Sequence, residues 1–133
     1  MLVHLSSRRS WVFCIAGIIA VGILSRVVHT GVVIFDKYLG DALYAMMIYG
    51  ILRLFWAAPK SAAYAMAIMT TIELFQLTMI PAHLLTSEHW ITRMCARLMG
   101  TDFSFLDLLT YAVGIGCIYL IDSAQRADSS QLN

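Results

Sequence analysis

The sequence predicts an all-α integral membrane protein: a bundle of four transmembrane helices with a short amphipathic helix between the third and the fourth. Of its 133 residues, 60% are hydrophobic and 13% are charged, and the mean hydropathy is +0.78. A soluble domain is about 25% charged. The apolar residues fall in four long blocks, each close to the roughly 20 residues that cross a bilayer. We therefore predict a single transmembrane domain over residues 1–133.

The predicted spans cover residues 11–28, 38–58, 61–80 and 105–121. The first follows Arg8 and Arg9, as the apolar part of a signal peptide would. Its apolar run is long and no small-residue cleavage site follows, which favours an uncleaved span. Pro59 and Lys60 separate the second span from the third in a tight antiparallel hairpin. Pro81 ends the third, because proline cannot continue the helical hydrogen-bond ladder.

The connection between the third and fourth spans carries an amphipathic pattern. Its stretch SEHWITRMCARLMG brings apolar residues to one side at helical spacing, namely Trp90, Ile91, Met94, Cys95 and Leu98. Two interpretations stay open: a helix lying at the membrane surface, or a helix packed over the end of the bundle. Beyond the fourth span, residues 123–133 are polar and predict a frayed tail.

Polar residues in the spans fall near one membrane face. Asp41 and Asp107 each lie in the first turn of a predicted helix, and these two helices run in the same direction. Glu73 comes about 18 Å along the oppositely directed third span, which brings it to the same side. Gln76 shares its helix face. A charged side chain facing lipid costs about 2.5–3.5 kcal/mol, so we predict that these residues turn inward.

Each of these residues also has a structural interpretation. Asp107 follows Ser104 with the S-x-x-D spacing of a capping box. Asp41 gains from the helix dipole. Glu73 and Gln76 cap nothing, and an interhelical hydrogen bond in a membrane contributes only about 0.6 kcal/mol. This small gain favours a functional site at Glu73, whereas capping and function stay open for Asp107.

A buried Glu73 is expected to be either protonated or paired with a cation. Arginine is the better partner, because its planar fork binds a carboxylate through two donors. We rank Arg97 and Arg93 ahead of Arg26. The predicted ligand-binding set is therefore Asp41, Glu73, Gln76, Asp107, Arg93 and Arg97. No metal, cofactor or disulfide is predicted, because the histidines and the three cysteines lack ligand or framework spacing.

Two motifs carry a family resemblance. ELFQ at 73–76, followed by DFSFLDLLTYAVG at 102–114, resembles the VanZ-like membrane proteins of bacteria. YLGDAL at 38–43 is similar to the opening of the second span in a sister family of short four-span proteins of unknown function. The positions that match are Asp41, Glu73, Gln76, Asp107 and Gly114. Gly40–Asp41 stands where VanZ-like proteins have lysine and histidine, and Tyr111 stands where they have asparagine.

The resemblance implies a multi-pass protein of the bacterial inner membrane, and Arg8 and Arg9 favour cytoplasmic termini. A net charge of +1 gives no field to attract nucleic acid. We expect a non-enzymatic envelope protein that holds a membrane lipid or a polar ligand at the polar cluster. Two alternatives stay open: an enzyme or small transporter with Glu73 as proton acceptor, or a structural subunit that binds a membrane protein or a second copy.

Overall fold

The computed structural model describes residues 7–28, 30–32, 34–100 and 102–131. Within these ranges the chain is helical and contains no strand, which confirms the all-α class. The elements are α1 (Arg8–Val27), a π-helical turn (Ile34–Tyr38), α2 (Leu39–Arg53), α3 (Ala58–Gln76), α4 (Ile80–Leu84), α5 (Trp90–Met99) and α6 (Phe105–Gln131).

Two of the described helices, α1 and α6, are long and apolar enough to cross a membrane. The other two predicted spans correspond to α2, which has 15 residues, and to α3, which has 19; neither of them is both long and apolar enough to pass the same test. The third helix also begins earlier than predicted. Pro59 lies in its first turn, where a missing N–H costs nothing because no partner exists for it.

Helix α2 lies at the centre of the bundle. It packs along α1 on one side and along α6 and α3 on the other, and α3 also packs on α6. The core joins aromatic and small side chains, including Trp11, Ala45, Tyr49, Met69 and Tyr111. Helices α2 and α6 touch at Gly114, where an added Cβ would lie 2.7 Å from the Ala42 carbonyl oxygen.

Helix α5 forms where the amphipathic pattern predicts it and turns its apolar side outward. Trp90 and Ile91 are 67% and 60% exposed, and Met94 is also exposed. The helix packs on α4 and, over a smaller area, on α3. The side chain of Leu98 lies outside the described residues. Trp90 and Ile91 therefore do not cover the end of the bundle, whereas Met94 lines the cavity there.

The end of the chain differs from the predicted frayed tail. Helix α6 continues through the polar residues to Gln131, and residues 132–133 lie outside the described part. Arg126 lies 3.4 Å from Asp122 one turn earlier, and the hydroxyls of Ser129 and Ser130 donate to carbonyl oxygens of the same helix. These local bonds stabilise the last turns of α6. The frayed tail was predicted from polar composition alone, which does not show such bonds.

Candidate functional site

Glu73 lies near the end of α3 and is fully buried. Its Oε1 accepts a 2.8 Å hydrogen bond from the hydroxyl of Tyr111. Its Oε2 accepts a 3.3 Å bond from the backbone N–H of Ser104. Among the described residues no cation pairs with it, so the predicted arginine pairing is wrong. A phenol and a backbone amide from the start of α6 take the place of the cation.

Arg93 is turned away from the cluster. Its Nη1 donates to the carbonyl oxygens of Ser87 and Glu88 at 2.8 and 3.0 Å. The guanidinium therefore closes the loop that precedes α5, and it does not line the cavity described below. The prediction of Arg93 as a ligand-binding residue is not supported, because loop carbonyls use its donors.

Asp107 does not form the capping box that stayed open as its structural interpretation. The N–H of Ser104, which a capping box would bond to Asp107, donates instead to Glu73. Asp107 is buried, and its Oδ1 lies 3.2 Å from Nζ of Lys37 in the π-helical turn. This ion pair ties the π-helical turn to α6.

Gln76 lies one turn beyond Glu73 and is almost fully buried. Its amide packs against Gly100, where an added Cβ would lie 2.8 Å from Nε2. Gly100 has a φ of +79°, which glycine adopts without steric cost. The close approach and the left-handed backbone together require glycine here. The contact between Gln76 and Gly100 brings the end of α5 against α3.

A cavity of about 920 Å³ opens at this end of the bundle. Four of the six predicted ligand-binding residues line it. Two further cations line it as well: Arg26, which the prediction ranked lower, and Lys37, which it omitted. Its polar lining includes three cationic side chains, four carboxylates and an amide: Arg26, Lys37, Arg97, Asp36, Asp41, Asp102, Asp107 and Gln76. Its apolar part is lined by Ile18, Ile19, Ile23, Leu43, Met47 and Ile72. Glu73 does not line it and lies behind Tyr111, which does.

Asp41 and Arg26 face this cavity from neighbouring helices. Oδ2 of Asp41 is buried and has no hydrogen-bond partner among the described residues. Arg26 lies over Gly40, with its Nε 3.6 Å from the position that a Cβ would occupy there. The missing side chain at Gly40 leaves room for the guanidinium above the first turn of α2.

A second polar cluster lies at the opposite end of the bundle, and the sequence analysis missed it. Asp122 is fully buried. Its Oδ2 accepts 2.6 Å bonds from both the Tyr49 hydroxyl and Arg53 Nε, and Arg126 adds an ion pair. Arg53 also lies 5.3 Å from the ring of Trp11. The i, i+4 spacing of Tyr49 with Arg53, and of Asp122 with Arg126, could have indicated this cluster.

Comparison with known proteins gives a family but no activity. The chain matches no curated protein and no solved structure. The family model described as "Protein of unknown function (DUF2809)" matches residues 28–115. The matched segment runs from the end of α1 into α6 and contains Asp41, Glu73, Gln76, Arg97 and Asp107. Because the match covers more than half of the chain, the protein belongs to the DUF2809 family.

Proposed function

We propose that the protein is a multi-pass protein of the bacterial inner membrane, and that its cavity binds a membrane lipid. The observation that carries the proposal is the cavity, which has charged residues at one end and isoleucine, leucine and methionine side chains along its walls. Lipid-like ligands have the same division between a polar group and an apolar chain. The resemblance of the 73–76 and 102–114 motifs to VanZ-like proteins supports a place in the bacterial envelope.

The proposed topology has four crossings, by α1, α2, α3 and α6. The π-helical turn and α2 together supply 20 residues, and the 19 residues of α3 span about 28 Å at 1.5 Å per residue. Large apolar side chains are exposed on the outer surface of all four helices, as lipid contact would require. With α5 at the interface and both termini in the cytoplasm, the polar end of the cavity faces outward.

The packing of α1 gives a lipid a route into the cavity. Helix α1 packs along α2 but not along α3, although both α1 and α3 contribute residues to the cavity wall. Ile19 and Ile23 of α1 line the cavity and are also exposed on the outer surface. An acyl chain could therefore pass sideways between α1 and α3 without unfolding any element.

Filling the cavity tests the proposal. A Cβ added at Gly22, which lines the cavity, would meet nothing within 4 Å, so the ring of Gly22→Phe has room to enter it. Gly17 on the same helix is equally uncrowded but lies outside the cavity, and Gly17→Phe is the matched control. Native mass spectrometry of purified protein should show bound lipid for the wild type and Gly17→Phe, and little for Gly22→Phe. Equal lipid retention by all three proteins, or none by the wild type, would reject the proposal.

A second candidate function is proton-coupled transport or catalysis with Glu73 as proton acceptor. The observation that favours it is the hydrogen bond from Tyr111, because Tyr111 contacts both the cavity and Glu73 and could pass a proton between them. Glu73→Gln keeps the shape of the side chain and removes its charge. Under this alternative the variant folds and loses proton flux in proteoliposomes, whereas flux equal to the wild type would exclude it.

A further inference from the structure

We infer that the cavity selects a zwitterionic headgroup with N–H donors, of the phosphoethanolamine class. In this arrangement Arg26 and Arg97 bind the phosphate and Asp41 accepts from the ammonium group. The inference rests on the proposed lipid-binding function and specifies the ligand. It depends on three features of the cavity: unpaired guanidinium groups, an unpaired carboxylate oxygen, and the balance of charge around them.

The two arginines are available to an anionic group. Both line the cavity, and among the described residues neither forms an ion pair. They approach from different elements, Arg26 from the last turn of α1 and Arg97 from α5. Guanidinium binds phosphate through paired N–H donors. Lys37, the third cation of the lining, is already paired with Asp107.

Asp41 is the only described residue lining the cavity that has a buried carboxylate oxygen with neither a hydrogen bond nor an ion pair. A buried acceptor without a donor is costly, and a charged one more so. A ligand that carries N–H donors would remove this cost when it binds. A headgroup without donors, such as phosphocholine, would leave the oxygen unpaired.

The charge of the lining argues against a purely anionic ligand. Three cationic side chains and four carboxylates line the cavity. Asp36 accepts from the N–H groups of Thr30 and Gly31, and Asp107 is paired with Lys37. The remaining cations, Arg26 and Arg97, therefore stand among carboxylates and not in a positive field. A ligand with one charge of each sign matches this arrangement better than one with a negative charge alone.

Competition between defined lipids tests the inference. Wild-type protein, stripped with detergent, is given equal amounts of phosphatidylethanolamine, phosphatidylcholine and phosphatidylglycerol with identical acyl chains, and bound lipid is identified by native mass spectrometry. We expect phosphatidylethanolamine to be retained over phosphatidylcholine by about tenfold, the effect of one charge-assisted hydrogen bond. Asp41→Leu should reduce this ratio to near one. Arg26→Gln should lower retention of both lipids, whereas Arg93→Gln, on the same helix as Arg97, should not.

Each failure has a separate meaning. Equal retention of phosphatidylcholine and phosphatidylethanolamine by the wild type would overturn the headgroup inference, even if Asp41→Leu failed to fold. Preference for phosphatidylglycerol would overturn it as well, since that headgroup is anionic. In either case a loss of lipid in Gly22→Phe would leave the lipid-binding proposal standing. Retention of lipid by Gly22→Phe would instead show that lipid does not bind in the cavity, and would reject both the lipid-binding proposal and the headgroup inference.

Discussion

The hydroxyl of Tyr111 donates a 2.8 Å hydrogen bond to Oε1 of Glu73 and joins α6 to α3 inside the bundle. Both side chains are buried. The second carboxylate oxygen of Glu73 accepts from the backbone N–H of Ser104, the residue that precedes α6. Both oxygens of Glu73 are therefore bonded to α6 or to the residue before it. Glu73 therefore orients the first turns of α6, and through them it positions Asp107 and Tyr111 at the cavity.

Tyr111→Phe should destabilise the protein by about 1–3 kcal/mol, because it leaves a buried carboxylate oxygen without its donor. Tyr119→Phe on the same helix is the control, since Tyr119 packs against the core and its hydroxyl has no hydrogen bond to a described residue. Thermal unfolding in detergent measures the difference. Equal stability of the two variants would mean that the bond to Glu73 adds nothing to folding.

Gly114→Ala should destabilise the protein by about 1–3 kcal/mol through overpacking. The added methyl would lie 2.7 Å from the Ala42 carbonyl oxygen and 3.1 Å from the Ala42 Cα, and backbone atoms cannot rotate away. Gly116→Ala, two residues later, meets nothing within 4 Å and should be neutral or slightly stabilising, because alanine favours the helix. Unfolding curves that rank the two variants the other way would contradict the close approach of α2 and α6.

Asp122→Ala should cost about 3–5 kcal/mol, because it leaves Arg53 and Tyr49 without their buried acceptor. The double variant Arg53→Met with Asp122→Leu should cost less than Asp122→Ala alone, since it removes the more buried cation together with its acceptor, and the remaining cation, Arg126, is 42% exposed. Chemical denaturation of the wild type and both variants gives the comparison. If the double variant is the less stable of the two, the network of Asp122, Arg53 and Tyr49 stabilises the fold by more than the neutralisation of a buried charge.

The proposed orientation predicts which engineered cysteines a membrane-impermeant thiol reagent can reach. In a background with Cys14, Cys95 and Cys117 replaced, Val32→Cys should be labelled in intact cells and Asp128→Cys only after lysis. Both positions are exposed, so folding does not block either one. The reverse pattern would turn the polar end of the cavity toward the cytoplasm. Labelling of both positions in intact cells would put them on the same face and would contradict the three crossings proposed between them, by α2, α3 and α6.

The helical class and the grouping of polar residues could be read from the sequence, because both depend on spacing along helices. Up-and-down alternation brought Asp41, Gln76 and Asp107 to one end, where they line one cavity. The path of the connecting loops could not be read, because it depends on local hydrogen bonds. The third helix ends at Gln76 and not at residue 80, since Met79 adopts a left-handed backbone. For the same reason the interaction of Arg93 with loop carbonyls was not predicted.

In the proposed topology α6 crosses the membrane, and its two buried carboxylates then set a length scale for the surrounding bilayer. Asp107 and Asp122 are separated by about 22 Å along the helix axis at 1.5 Å per residue, whereas the hydrocarbon layer of a bilayer is about 30 Å thick. At least one of them must therefore lie at hydrocarbon depth when the helix stands upright. Tilting of the helix would place both deeper, and local thinning of the bilayer would bring them closer to the headgroups. A change in membrane thickness would thus change the depth of both polar clusters in the bilayer at once.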